Sequence, residues 1–191
     1  LGANIECNEK NLIDFSTMGS ALFTAIYNKN MPKTALLNIG LEEVKGNENL
    51  KKTFSILKSK KNNNFDFCGY IEGNQIMDGD IDVIVTDGFT GNVALKTAEG
   101  TANFITKNLK KSLNKFSIFL SYRSLKNFKE KLDPRKYNGA IFLGLQGPVV
   151  KSHGSTDSLG FAYSIEMCNK IVEADLIEQI KAHLISVDVW S

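Results

Sequence analysis

Three short apolar runs, set between segments with helical periodicity, constrain what this chain can fold into more than any other feature. They are Ala35-Leu36-Leu37-Asn38-Ile39, Phe65-Asp66-Phe67-Cys68-Gly69-Tyr70 and Ile81-Asp82-Val83-Ile84-Val85-Thr86. Leu12, Phe15, Met18, Leu22 and Ile26 recur at helical steps before the first run, with Asn8 or Asn11 as the cap. Leu50, Phe54 and Leu57 do so between the first two, and Leu95, Ala98, Ala102, Ile105 and Leu109 after the third. Near-continuous apolar strands alternating with helices predict βαβ units and a largely parallel sheet with helices on both faces. Ligands of such sheets bind beyond the carboxyl ends of the strands. The loops Gly40–Asn47 and Asp87–Asn92 both leave strand ends, so both are expected on one rim.

The second of these loops reads as an anion site. A strand runs into Asp87-Gly88-Phe89-Thr90-Gly91-Asn92, which opens directly into a helix. Backbone N–H groups at a helix start point toward what lies above the sheet, at the positive end of the helix dipole. Gly88 and Gly91 are expected to permit positive φ and close approach of an anion. Asp87, Asn92 and Lys96 add an acceptor, an amide and a cation, so phosphate is the expected ligand.

Composition removes several alternatives. A formal charge of +2, with no basic stripe among aromatics, gives no case for nucleic acid. Cys7, Cys68 and Cys168 are too widely spaced for a disulfide framework or a CxxC metal site, so reduced thiols and a cytoplasmic protein are expected. No apolar run approaches the roughly 20 residues of a membrane span, and no leader pattern is visible. Leu1-Gly2-Ala3-Asn4 reads as a strand end entering a turn, which suggests a fragment whose preceding strand lies upstream.

The second half departs from strict alternation. Residues 103–132 read as a helical excursion rich in lysine and apolar side chains. Ala140-Ile141-Phe142-Leu143-Gly144 and Pro148-Val149-Val150-Lys151-Ser152 read as two strands joined at Gln146-Gly147. A final helix is expected after Gly154, capped by Ser155, with Phe161, Ile165, Cys168, Val172, Leu176 and Ile180 along its packed face. Residues 1–191 are expected to form a single α/β domain.

Six motifs then occur in one order: Gly2-Ala3-Asn4, Met18-Gly19-Ser20, Leu37-Asn38-Ile39-Gly40, Lys45-Gly46-Asn47-Glu48, Asp87-Gly88-Phe89-Thr90-Gly91-Asn92 and Lys151-Ser152-His153-Gly154-Ser155. In that order and spacing the chain resembles the carboxyl-terminal portion of the bacterial phosphate acyltransferase (PlsX) family of phospholipid synthesis, to about residue 175. The resemblance implies a three-layer α/β/α sandwich like that of phosphotransacetylases and the isocitrate and isopropylmalate dehydrogenases. It implies transfer of a fatty acyl group from acyl carrier protein to inorganic phosphate, giving acyl phosphate, in a homodimer without a cofactor.

Such a reaction needs a phosphate seat, an oxyanion stabiliser and an acyl path. A thiol leaving group of pKa about 8.5 needs little help from an acid, and no Ser-His-Asp or Cys-His spacing is present. Lys45 and Asn92 are the expected catalytic residues, as cation and amide donor; the plainer readings are a solvated lysine and a helix cap. Asn38, Gly46, Asn47, Asp87, Gly88, Thr90, Gly91, Lys96, His153 and Ser155 are the expected phosphate or substrate contacts. No metal ligand set is expected. His183 reads as a cation near the end of the last helix. Phe116, Ile118, Phe119, Leu120, Tyr122, Leu125 and Phe128 lie among seven lysines and arginines, a pattern suited to an anionic membrane surface or to a dimer interface. Peripheral association through about 112–131 at the inner face of the cell membrane is therefore an expectation. The rival readings are a phosphotransacetylase-like enzyme using coenzyme A, and a truncated chain that folds and dimerises without activity.

Overall fold

The computed structural model describes residues 1–59, 63–112, 139–152, 154 and 156–186. Helix α1 (Glu9–Tyr27) opens with both candidate caps at once. Asn11 N–H donates to Asn8 Oδ1 at 2.9 Å and Asn8 N–H donates to Asn11 Oδ1 at 3.2 Å, a reciprocal capping box. The helix stops where Asn28 turns left-handed, at φ 51°. There follow β1 (Lys33–Asn38), α2 (Glu48–Ser59), β2 (Asp66–Glu72), β3 (Val83–Val85) and the 25-residue α3 (Gly88–Ser112).

The strands form a parallel sheet in the order β2-β1-β3. Alternate residues of β1 face opposite ways, as the pleat demands. Leu36 packs with Val85, Tyr70, Leu12 and Phe54 on the α1/α2 side. Ala35 and Leu37 pack with Ile71, Ile84 and Ala94, the last from α3, on the other. The result is the expected three-layer α/β/α sandwich.

Strand β3 is shorter than the apolar run because its leading residues fasten the far rim of the sheet. Asp82 N–H donates to Lys33 O at 2.9 Å, and its carboxylate accepts from Lys33 N–H at 2.8 Å and Lys29 Nζ at 2.6 Å. Burial pushes the Asp82 carboxyl up, but the hydrogen bonds and charge of Lys29 and Lys33 outweigh it and hold it below its ordinary value.

Helix α1 meets the sheet through small side chains. Ser16, Thr17, Ser20 and Ala21 are fully buried, and the Ser20 and Thr34 hydroxyls share a hydrogen bond of 2.9 Å. A Cβ at Gly19 would come within 2.9 Å of Val83 Cγ1. The Met18-Gly19-Ser20 motif is therefore a packing device, which lets a helix and a strand approach by omitting side-chain bulk.

The outward side of α1 carries a second layer. An antiparallel hairpin, β4 (Ala140–Phe142) and β5 (Val149–Lys151), precedes α4 (Ser158–Glu173) and α5 (Leu176–Ser186). Ile171, Leu176 and Ile180 cluster with Ala21, against Met18, Leu22, Ile141 and Val150. The single final helix expected from the sequence is thus two, broken at Asp175 with φ 49°, and the cap of α4 is Asp157. Its packed face also differs. Gly160, Ser164 and Ile171 are buried, whereas Phe161, Ile165 and Val172 are 54%, 53% and 61% exposed. Small residues admit close approach to the hairpin: a Cβ at Gly139 would sit 3.4 Å from Ser164 Oγ. Similarly, Leu95, Ile105 and Leu109 of α3 stand exposed, and Gly91 and Ala94 make the approach to the sheet.

His183 is half-buried, and burial lowers its pKa below the ordinary 6.5, so at neutral pH it is uncharged rather than the expected cation. The sign follows from the unfolded chain taking up the proton first. Stability is fully present above pH 6.5 and falls as the pH drops through that value toward the folded pKa. Urea melts of wild type and His183→Gln across pH 5 to 8 (about a unit or more on either side of the transition) should differ in this slope; parallel profiles would remove His183 as its source.

Among the described residues no helix is long and apolar enough to cross a membrane. The amphipathic segment expected at 112–131 lies outside the described residues, apart from its first position.

Candidate active site

Leu36 of β1 pairs with Val85 of β3, so the segments leaving these parallel strands start side by side, as the two loops were expected to. Two buried polar atoms without a hydrogen-bond partner among the described residues mark this rim: Asn38 Oδ1 at the end of β1 and Thr86 Oγ1 just past β3. A buried acceptor or hydroxyl left unpaired costs about 1–3 kcal/mol, and such orphans collect where something else is meant to bind.

The start of α3 does not have the form expected of it. Gly88 N–H donates to Asn4 O at 2.8 Å and Phe89 N–H to Ile5 O at 3.3 Å. Asp87 takes the next donor: Oδ1 accepts from Thr90 N–H at 2.7 Å and Oδ2 from Thr90 Oγ1 at 2.8 Å. Asp87 is therefore the N-cap, and the first three N–H groups of α3 are spent within the chain. Neither Gly88 nor Gly91 has positive φ. Their glycines serve another purpose. A Cβ at Gly88 would lie 2.5 Å from Asn4 O and 2.6 Å from Gly2 O, and one at Gly91 2.6 Å from Thr86 Cγ2. The residues needed for close approach of an anion are occupied by the amino-terminal segment instead.

The loop after β1 is organised differently. Asn38 Nδ2 donates to Lys45 O at 3.2 Å, and Lys45 N–H donates to Glu42 O at 3.0 Å. Gly46 has φ +90°, and a Cβ there would fall 2.5 Å from Asn38 Oδ1, so this position demands glycine on both counts. The Lys45 side chain runs beside Gly40, where an added Cβ would meet its Cγ at 3.1 Å. Glu43 pairs with Lys58 of α2, anchoring the loop's outer limb. Asn47 caps α2, accepting from Leu50 N–H at 2.9 Å. The loop is thus folded back on β1 and delivers Lys45 to the rim. Lys45 is exposed, with no ion pair among the described residues.

The other expected contacts sort as follows. Asn92 is exposed in the second turn of α3; it is not the cap, and its amide has no hydrogen bond among the described residues. Lys96 is engaged by Glu99 at 2.8 Å. His153 and Ser155 lie outside the described residues. Burial pushes the Cys7 and Cys68 thiols up, so neither is a ready thiolate at neutral pH. The helix expected after the Gly40–Asn47 loop is α2, but sequence reasoning read Asn47 as a ligand contact and missed it as the cap. Asparagine as a cap directly after Lys45-Gly46 was the signal for it.

Among the described residues, the carboxyl rim of this parallel sheet gathers two orphaned polar atoms and a lysine without an ion pair, at the edge where ligands of such sheets bind. The family model described as "Fatty acid synthesis protein" matches residues 1–179. The chain is 59% identical over 189 residues to the phosphate acyltransferase of Pelagibacter ubique (strain HTCC1062), covering 96% of this chain and 57% of that protein. It is 41% identical to the phosphate acyltransferase of Maricaulis maris (strain MCS10), over 96% of this chain and 54% of the relative. It is 44% identical to that of Legionella pneumophila (strain Corby), over 95% and 54%. The chain belongs to the phosphate acyltransferase (PlsX) family. It spans about half the length of the curated relatives it matches.

Proposed function

We propose that this chain takes part in acyl transfer from acyl carrier protein to inorganic phosphate, yielding an acyl phosphate for phospholipid synthesis. The observation that carries this reading is Lys45, a cation with no ion pair among the described residues, held by Asn38 and Gly46 at the carboxyl end of β1. Phosphate attacks the thioester carbonyl directly. The C–O bond forms as the tetrahedral oxyanion develops beside the Lys45 ammonium, and collapse breaks the C–S bond and releases the carrier's thiolate. No covalent enzyme intermediate is needed, and the raised thiol pKa values of Cys7 and Cys68 agree with direct attack. Asn92 supplies an amide donor from the neighbouring helix.

The reading extends to a homodimer, to acyl carrier protein as partner, and to a cytoplasmic protein that meets the inner face of the membrane peripherally. Co-sedimentation with anionic vesicles, comparing wild type with Phe119→Glu, tests the last point; unchanged pelleting of the variant removes it.

The test of the reaction is phosphate-dependent release of thiol from acyl carrier protein, with acyl phosphate trapped as the hydroxamate. Activity with coenzyme A thioesters in place of the carrier favours a phosphotransacetylase-like enzyme. Absence of product from this chain, with product from a full-length relative such as the Pelagibacter protein, assigns the activity to the longer protein alone.

A further inference from the structure

We infer that the phosphate seat of this chain is the amino terminus of α2, read by Asn38, and not the amino terminus of α3. This rests on the phosphate-dependent reading above. The two helix starts on the rim are opposites. At α3 the Gly88, Phe89 and Thr90 N–H groups are satisfied by Asn4 O, Ile5 O and Asp87. At the 12-residue α2 only Leu50 N–H of the first turn is capped, by Asn47. The N–H groups of Gly46, Asn47, Glu48 and Asn49 have no acceptor among the described residues. Lys45 O faces Asn38 Nδ2, and a planar peptide aims its N–H opposite to its carbonyl, so Gly46 N–H points away from Asn38 and the donors left for a ligand at Asn38 are those of Asn47, Glu48 and Asn49. Consecutive free N–H groups at a helix start, with one residue at positive φ, form an anion-binding concavity. Lys45 adds the charge. The nearby carboxylates are mostly neutralised: Glu48 pairs with Lys51 at 3.1 Å and Glu43 with Lys58, leaving Glu42 beside Gly40.

The second, independent observation is Asn38. The residue is 7% exposed and its Oδ1 is buried with no partner among the described residues. Because Nδ2 is committed to Lys45 O, the amide is fixed with Oδ1 toward Gly46. Oδ1 can only accept. The ligand that satisfies N–H donors, a lysine and a lone acceptor together is an oxyanion that still carries a hydrogen. Monohydrogen phosphate does so at neutral pH, and sulfate does not. Gly46 stands beside Oδ1 without a side chain to block it.

Isothermal titration of the chain with sodium phosphate and, separately, sodium sulfate tests this. Wild type should bind phosphate about tenfold more tightly than sulfate, the worth of one hydrogen bond to a charged group. Asn38→Ala should weaken both anions by loosening Lys45, and should bring their ratio close to one. A merely structural role for Asn38 lowers both affinities and leaves the ratio alone, which overturns the inference. Circular dichroism melts check that Asn38→Ala folds; Asn38→Ser, smaller but still an acceptor, should retain part of the preference, and a ratio of one there as well overturns the acceptor role. Failure of wild type to bind either anion overturns the phosphate reading and this inference together. Phosphate binding with an unmoved ratio overturns only the inference.

Discussion

Lys45→Ala lowers phosphate-dependent turnover about a hundredfold, the cost of losing one preorganised donor to a developing oxyanion (about 3 kcal/mol). Its thermal unfolding is unchanged. Lys45 is exposed and makes no ion pair among the described residues, so nothing in the fold depends on its ammonium. The loop that presents it is held by other groups: Asn38 Nδ2 on the Lys45 carbonyl, Gly46 at φ +90°, and Glu43 on Lys58. The substitution removes none of these. Steady-state kinetics of wild type and variant, with melting curves on the same samples, give the comparison. Near-wild-type turnover sinks the assignment of Lys45, and a large fall in melting temperature moves the residue from chemistry to structure.

Gly88→Ala acts in the opposite sense. A Cβ there meets two backbone oxygens, Asn4 O at 2.5 Å and Gly2 O at 2.6 Å. Neither can swing aside as a side chain can, and Gly88 N–H is bonded to Asn4 O at 2.8 Å, so relieving the clash breaks that bond too. The expected cost is about 3 kcal/mol, or roughly a 10 °C fall in melting midpoint for a domain of this size. Gly91→Ala serves as the comparison. Its Cβ meets side-chain atoms, Thr86 Cγ2 at 2.6 Å and Leu1 Cβ at 2.8 Å, and its cost should be smaller. If the two variants melt alike, the backbone clash is not what fixes glycine at position 88.

These two glycines also mark where the sequence was legible and where it was not. The sheet, its parallel sense and the cap of α1 were readable, because apolar runs, helical spacing and Asn8/Asn11 act locally. Asp87-Gly88-Phe89-Thr90-Gly91 looked like an anion loop because glycines before a helix have two uses. One admits a ligand and the other admits the chain's own backbone. Only the position of residues 2–5, distant in sequence, distinguishes them. The packed face of α4 failed for a related reason: burial falls on Gly160 and Ser164, which carry no hydrophobic signal, while the apolar stripe of Phe161, Ile165 and Val172 stands outward. In the candidate site, Lys45 was legible from Lys45-Gly46-Asn47. The unpaired Oδ1 of Asn38 was not, since a missing hydrogen bond has no pattern in a sequence.

Helix α1 has two partners, one close to it in sequence and one far downstream. Its inner side meets β1 and β3 as soon as these emerge. Met18, Leu22 and Ala25 on its outer side must wait for Ile171, Leu176 and Ile180, close to the end of the described chain. During synthesis, at about 5–20 residues per second, that apolar strip stays uncovered for seconds. A nascent chain stalled before α4 would hold β1, β2 and β3 paired but leave the outer side of α1 bare, and would be a ready client for chaperones.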